Sequence, residues 1–122
     1  MAPAKILVID DSEPIRSTLR LTLEFKGHTV VEAADGREGL EQLRGGSFDL
    51  VFCDLAMPEM DGVTLIRQVR EALQIKDLPI IVLSAEERGA KLEALEAGAN
   101  ASIDKPFSPR QVLQTLESFL PA

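Results

Sequence analysis

A chain of 122 residues is about one domain's worth and long enough to bury a core, so residues 1–122 read as a single domain. With 45% apolar, 27% charged and 4% aromatic residues, and neither Trp nor Tyr, it is an ordinary globular composition whose core must come from Leu, Ile, Val and Ala. Thirteen basic against 20 acidic residues give a net charge of −7, which in the absence of a basic stripe excludes nucleic-acid phosphates and anionic membrane surfaces as direct partners.

The N-terminal "MAPAKILVIDD" has too short an apolar run for a signal peptide or a membrane span, and the expected location is the cytoplasm. "KILVI" predicts a first strand, followed by a helix over 13–26 in which Ile15, Leu19 and Leu23 recur at helical spacing, with Ser12 at its cap, Pro14 in its first turn and Gly27 closing it. His28, the only histidine, is expected in a surface loop, because a switching or ligand role needs placed partners. "HTVVEA" predicts a second strand, with a helix over 36–44, and "DLVFC" a third, in which Cys53 is a buried reduced thiol.

The loop "DLAMPEMDG" at 54–62 follows, with Met57 and Met60 expected to pack and Gly62 to let the backbone turn closely after Asp61. A helix over 63–72 and the strand "PIIVL" come next. Glu86 and Glu87 favour the N-terminus of a helix running to 97, which Gly98 closes. "ASI" is the last strand, and the last helix, 109–120, is capped by Ser108 with Pro109 in its first turn and carries Val112, Leu113, Leu116 and Leu120 on one face.

Nearly continuous apolar strands alternating with helices predict a doubly wound α/β sandwich, its parallel sheet covered on both faces. Helices on both faces require the winding to reverse, and ligands bind beyond the strand C-termini at that reversal. Those termini carry Asp10-Asp11, Asp54, Ser84 and Asp104-Lys105-Pro106.

Singly, each has an ordinary role as a cap, a loop ligand or a solvated charge. Jointly, three carboxylates on one edge repel unless a cation or proton neutralises them, which implies a hard divalent ion. Oxygen ligands without His or Cys favour Mg²⁺, whose shell is usually completed by a phosphate. Lys105 and Ser84 complement a phosphoryl group there, and Asp54, alone at the end of a central strand, is the carboxylate expected to attack and form an acyl phosphate.

The set "IDDS" at 9–12, "DLAMPEMDG" at 54–62, "LSA" at 83–85 and "DKPF" at 104–107 resembles the receiver domain of two-component response regulators, most simply the single-domain chemotaxis type, over essentially the whole chain. That resemblance implies a five-stranded, flavodoxin-like sheet in the order 2-1-3-4-5 and a signalling switch in which Asp54 accepts a phosphoryl group from a sensor histidine kinase or phosphotransfer protein. It further implies that Asp11 and Asp54 ligate Mg²⁺ with the Ala56 carbonyl, that Asp10 holds a metal water, and that Ser84 is the switch hydroxyl. Lys105 is then the phosphoryl contact, and the Lys105-Pro106 bond is cis.

Two positions depart from the family's commonest pattern. Ser102 stands where many receivers carry an aromatic lever, so output is expected to rely on the loop after Ser84 and on the helix 4, strand 5, helix 5 face, where an effector would bind. Ala56 stands where some relatives place a polar side chain that governs water's access to the acyl phosphate. A small Mg²⁺-dependent phosphohydrolase with an aspartyl nucleophile would want a general acid at that same position, and an FMN carrier would want a Ser-, Thr- and Gly-rich phosphate loop in place of "DDSEPIR". Without a following effector domain, the chain is expected to be either a stand-alone regulator or a piece of a longer one.

Overall fold

The computed structural model describes residues 3–85 and 88–120. Strands β1 (Lys5–Ile9), β2 (Thr29–Ala33), β3 (Leu50–Asp54), β4 (Ile80–Ser84) and β5 (Ala101–Asp104) alternate with helices α1 (Glu13–Phe25), α2 (Gly36–Gly45), α3 (Gly62–Arg67), α4 (Arg88–Ala97) and α5 (Pro109–Phe119). All strands pair in parallel in the order β2-β1-β3-β4-β5, so the winding reverses between β1 and β3. Ile9 lies opposite Cys53 across that boundary, which brings the next residues, Asp10 and Asp54, to one place.

Alternate strand residues point to opposite faces and make two cores. Ile6, Val8, Phe52 and Leu83 meet Leu19 and Leu23 of α1 and Val112 and Leu116 of α5. Leu7, Ile9, Val51, Cys53 and Val82 meet Leu40 and Leu43 of α2, Leu65 and Ile66 of α3, and Ala94 of α4. The described part of α4 thus offers the core small alanines, while its Leu92 and Leu95 are 57% and 39% exposed. At about 25 cal/mol per Å² of apolar area buried, alanines hold this helix less firmly than leucines hold α1 and α5.

The punctuation agrees with the sequence. Ser12 accepts from Ile15 N and Ser108 forms a reciprocal cap with Gln111, while Gly27 and Gly98 end their helices at φ of 92° and 124°. Asp61, the second acid of the 54–62 loop, is the N-cap of α3 and accepts from Thr64 N at 2.8 Å. Met57 is buried and Met60 packs against the same core, as expected of them. The expectation for Glu86 and Glu87 falls outside the described residues.

Two features depart from expectation. The helix expected over 63–72 widens into a π-helical turn at Gln68–Ala72, in which Leu73 N donates to Gln68 O at 2.9 Å. From this turn Arg70 donates to the carbonyls of Gly98 and Ile75 and to Asn100 Oδ1, tying the end of α4 to α3. His28 is not a surface loop residue; it is 5% exposed, and its Nδ1 accepts from Ala4 N at 3.0 Å. The N–H at the buried entry to β1 needs an acceptor, and a neutral imidazole supplies it. Burial holds the His28 pKa below its ordinary value, so this contact costs stability as pH falls through about 6.5 and the unfolded chain takes up the proton first.

Gly62 is required by proximity. Its N–H donates to Leu55 O at 3.0 Å, and a Cβ here would lie 2.6 Å from Asp54 O and 2.9 Å from Leu55 Cα. Both obstacles are backbone, so Gly62→Ala is expected to cost about 1–3 kcal/mol or more, read as a lower denaturant midpoint. Gly45→Ala, with nothing within 4 Å of the new Cβ, should leave the midpoint unchanged or raise it. Equal midpoints for the two variants would contradict the close approach at Gly62.

Candidate functional site

Asp10 follows β1, Asp54 ends β3, Ser84 ends β4 and Lys105 follows β5. Asp10, Asp54 and Ser84 are buried, at 0%, 4% and 1% exposure, whereas Asp11 is exposed. Carboxylate oxygens of Asp10, Asp11 and Asp54 all lie within 4.8 Å of one another. Lys105 Nζ reaches across to Asp10 Oδ2 at 3.2 Å and Asp54 Oδ1 at 3.1 Å, and its backbone N donates to Ser84 O at 2.7 Å. The Lys105-Pro106 peptide bond is cis.

Every polar atom of Asp10 has a partner. Its N donates to Ala33 O at 3.1 Å and its Oδ1 accepts from Ser12 N at 2.8 Å. Its Oδ2 faces Lys105, and its carbonyl accepts from Arg16 Nη1 at 2.6 Å. Asp54 Oδ1 also accepts from Ala56 N at 3.4 Å. The Ala56 side chain is exposed, and Ser102 on β5 is half-buried.

Burial and the neighbouring Asp10 push the Asp54 carboxyl up from 3.8 to about 6, against the opposing pull of Lys105 and the Ala56 amide. Burial disfavours the charge on Lys105, but its contacts with Asp54 and Asp10 more than offset this and hold its pKa above the ordinary value. The Cys53 thiol is pushed up by burial first and by Asp54 and Asp10 next. It donates to Asp54 O at 3.4 Å from inside the core, so it is no ligand of this pocket. Among the described residues, the donor set is therefore carboxylate oxygen, which suits a hard divalent ion.

All the sequence-predicted site residues lie at this one edge of the sheet. What the sequence did not single out is Arg16, although a cation in the second turn of a helix that follows "DDS" is a signal of reach back toward the acids.

A doubly wound domain with an acidic, lysine-bridged pocket at its winding reversal defines a class, and the response regulator receiver domain model matches residues 6–117. The chain belongs to that family. It is 38% identical over 119 residues to the response regulator MprA of Mycolicibacterium vanbaalenii, covering 97% of this chain and 51% of that protein. It is 40% identical over 117 residues to the transcriptional regulatory protein ResD of Bacillus subtilis, covering 95% and 48%.

The chain thus spans about half the length of the curated relatives it matches. Among solved structures, the chemotaxis protein CheY4 of Vibrio cholerae superposes with a TM-score of 0.90 at 39% identity, covering 98% of this chain and 100% of that one. A CheY-like receiver domain protein of Methanospirillum hungatei does so with 0.90 at 29%, covering 96% and 93%.

The raised Asp54 pKa has a stability consequence of definite sign. Above about 6 the ionised carboxylate opposes folding, and the penalty lifts as pH falls from there toward the ordinary 3.8, because the folded chain takes up that proton first. In chelator at pH 7, Asp54→Asn should therefore be more stable than wild type, by on the order of 2 to 3 kcal/mol at most, with the difference closing by about pH 4. Denaturant melts of both proteins from pH 4 to 8 test this. His28 and the Arg-paired Glu32 are common to both and cancel in the difference. A variant less stable than wild type at pH 7 would contradict the assignment.

Proposed function

We propose that the domain is a phosphorylation-controlled switch in which Asp54 accepts a phosphoryl group from the phosphohistidine of a sensor kinase or phosphotransfer protein. An ionised Asp54 oxygen attacks phosphorus, the P–N bond breaks, and the imidazole leaves with the electron pair and takes up a proton. The product is an aspartyl phosphate. The observation that carries this reading is the single ammonium of Lys105 set between the buried carboxylates of Asp10 and Asp54, at the end of the sheet where an anion would be received.

Asp11, Asp54 and the Ala56 carbonyl would hold Mg²⁺, with Asp10 holding one of its waters, and the ion would supply positive charge to the equatorial oxygens of the transferring group. Lys105 is then drawn from the carboxylates to the phosphoryl oxygens, and the Ser84 hydroxyl donates to them. Ala56 can neither give a proton to a leaving group nor take one from an attacking water, which disfavours a phosphohydrolase. The exposed Leu92 and Leu95 on the lightly held α4 favour a protein effector at the α4-β5-α5 face, and the cytoplasm is the compartment where kinase and effector would meet it.

Acetyl phosphate with Mg²⁺ should add one acid-stable, base-labile phosphoryl group, located at Asp54 by mass mapping, and chelator should abolish it. A phosphoryl group at Ser84 or His28 would refute the assignment. Lys105→Ala should keep the uptake of phosphate but lose the accompanying change in amide exchange along α4, because a ligand shifts a conformational equilibrium only through contacts that differ between the states. Wild-type exchange in the phosphorylated variant would show that the coupling runs elsewhere.

A further inference from the structure

The carbonyl of Asp10 belongs to the peptide that leads into Asp11, so whatever orients that peptide sets the direction from which the exposed Asp11 carboxylate approaches the pocket. Its partner is a side chain. Arg16 Nη1 holds the carbonyl at 2.6 Å, while Arg16 Nε is fixed on Glu32 Oε1 at 3.1 Å. Glu32 lies on β2, level with Val8 of β1, so the guanidinium is braced against the sheet itself. The other Glu32 oxygen is taken by Arg20 Nη1 at 2.6 Å, which leaves the carboxylate clamped from both sides. Arg16 is 15% exposed and Arg20 41%, which sets the inner arginine apart from the outer.

We infer that Arg16 is a positioning residue for the divalent ion: its fork turns the Asp10-Asp11 peptide so that the three carboxylates converge on one cation, with Glu32 as the brace. This rests on the acid pocket's proposed role in binding Mg²⁺. A planar fork can hold a carbonyl and a carboxylate together, whereas the compact ammonium of a lysine cannot span both. Outer partners that orient ligands in this way are typically worth 10- to 100-fold in metal affinity. The direction of the effect is diagnostic. Removing a cation close to the pocket should, by charge alone, tighten Mg²⁺ binding, so weakening reports lost orientation.

The test is calorimetric titration with Mg²⁺, alongside denaturant melts in chelator, of wild type, Arg16→Met, Arg16→Lys and Arg20→Met. Arg16→Met should weaken Mg²⁺ binding about tenfold or more, and Arg16→Lys should weaken it as well despite keeping the charge. Arg20→Met, which removes a bond to the same Glu32 without touching Asp10, should remain within about twofold of wild type. Unchanged or tighter binding by Arg16→Met or Arg16→Lys, or equal weakening by Arg20→Met, overturns the inference. A wild type that binds no Mg²⁺ overturns the pocket's proposed role itself, and the inference with it. Should Arg16→Met fail to fold, Arg16→Lys carries the same decision.

Discussion

Two buried carboxylates facing each other across a strand boundary are tolerable only because an ammonium from two strands away lies between them. Removing charge from water costs several kcal/mol per ion even after relaxation, and like charges add to that cost. Lys105 offsets part of it at Asp10 and Asp54, and what remains uncompensated appears as the raised pKa of Asp54. The sheet order follows the same constraint. Only when β1 and β3 are neighbours do Asp10 and Asp54 meet, and only with β5 beyond β4 does the chain after Asp104 turn back over their ends.

The acids sit on rigid stems and the surroundings are held unequally. The loop after Asp54 is anchored by the buried Leu55 and Met57 and by the close approach of Gly62. At the far end of α4, Arg70 ties Gly98 and Asn100 to the π-helical turn, whereas the described core contacts of that helix are alanines. The helix is thus tied at its C-terminal end by polar bonds and held along its length by small side chains. Lys91 adds a pair with Asp104 at 2.8 Å, and at 30% and 69% exposure this pair is a weak tether.

Much of this was legible beforehand because the signals were local or periodic. The strands "KILVI" and "PIIVL", the caps Ser12 and Ser108 and the closing glycines 27 and 98 are each dictated by neighbouring residues, and the observed elements fall within a residue or two of those expected. The convergence of Asp10, Asp11, Asp54 and Lys105 could be read because strand ends in a doubly wound sheet share an edge. The burial of His28 is not legible in this way, because its partner, the Ala4 amide, lies 24 residues away and leaves no trace in sequence spacing. The π-helical turn escaped for the same kind of reason: a slip of one hydrogen bond hardly alters apolar periodicity, and its long-range contact is Arg70 reaching residues 28 and 30 positions on.

Cys53 lends the molecule a clock. Its sulfur is wholly enclosed on the central strand, one residue from Asp54, and burial keeps it a thiol rather than the nucleophilic thiolate. An alkylating reagent in the solvent meets it only in molecules whose central strand has come open. With a reagent fast enough to trap each opening, the labelling rate equals the opening rate; with a slower one, it follows the population of the open form. Because the chain carries one cysteine, a single mass increment counts those events, on the same strand as the carboxylate on which the site is built.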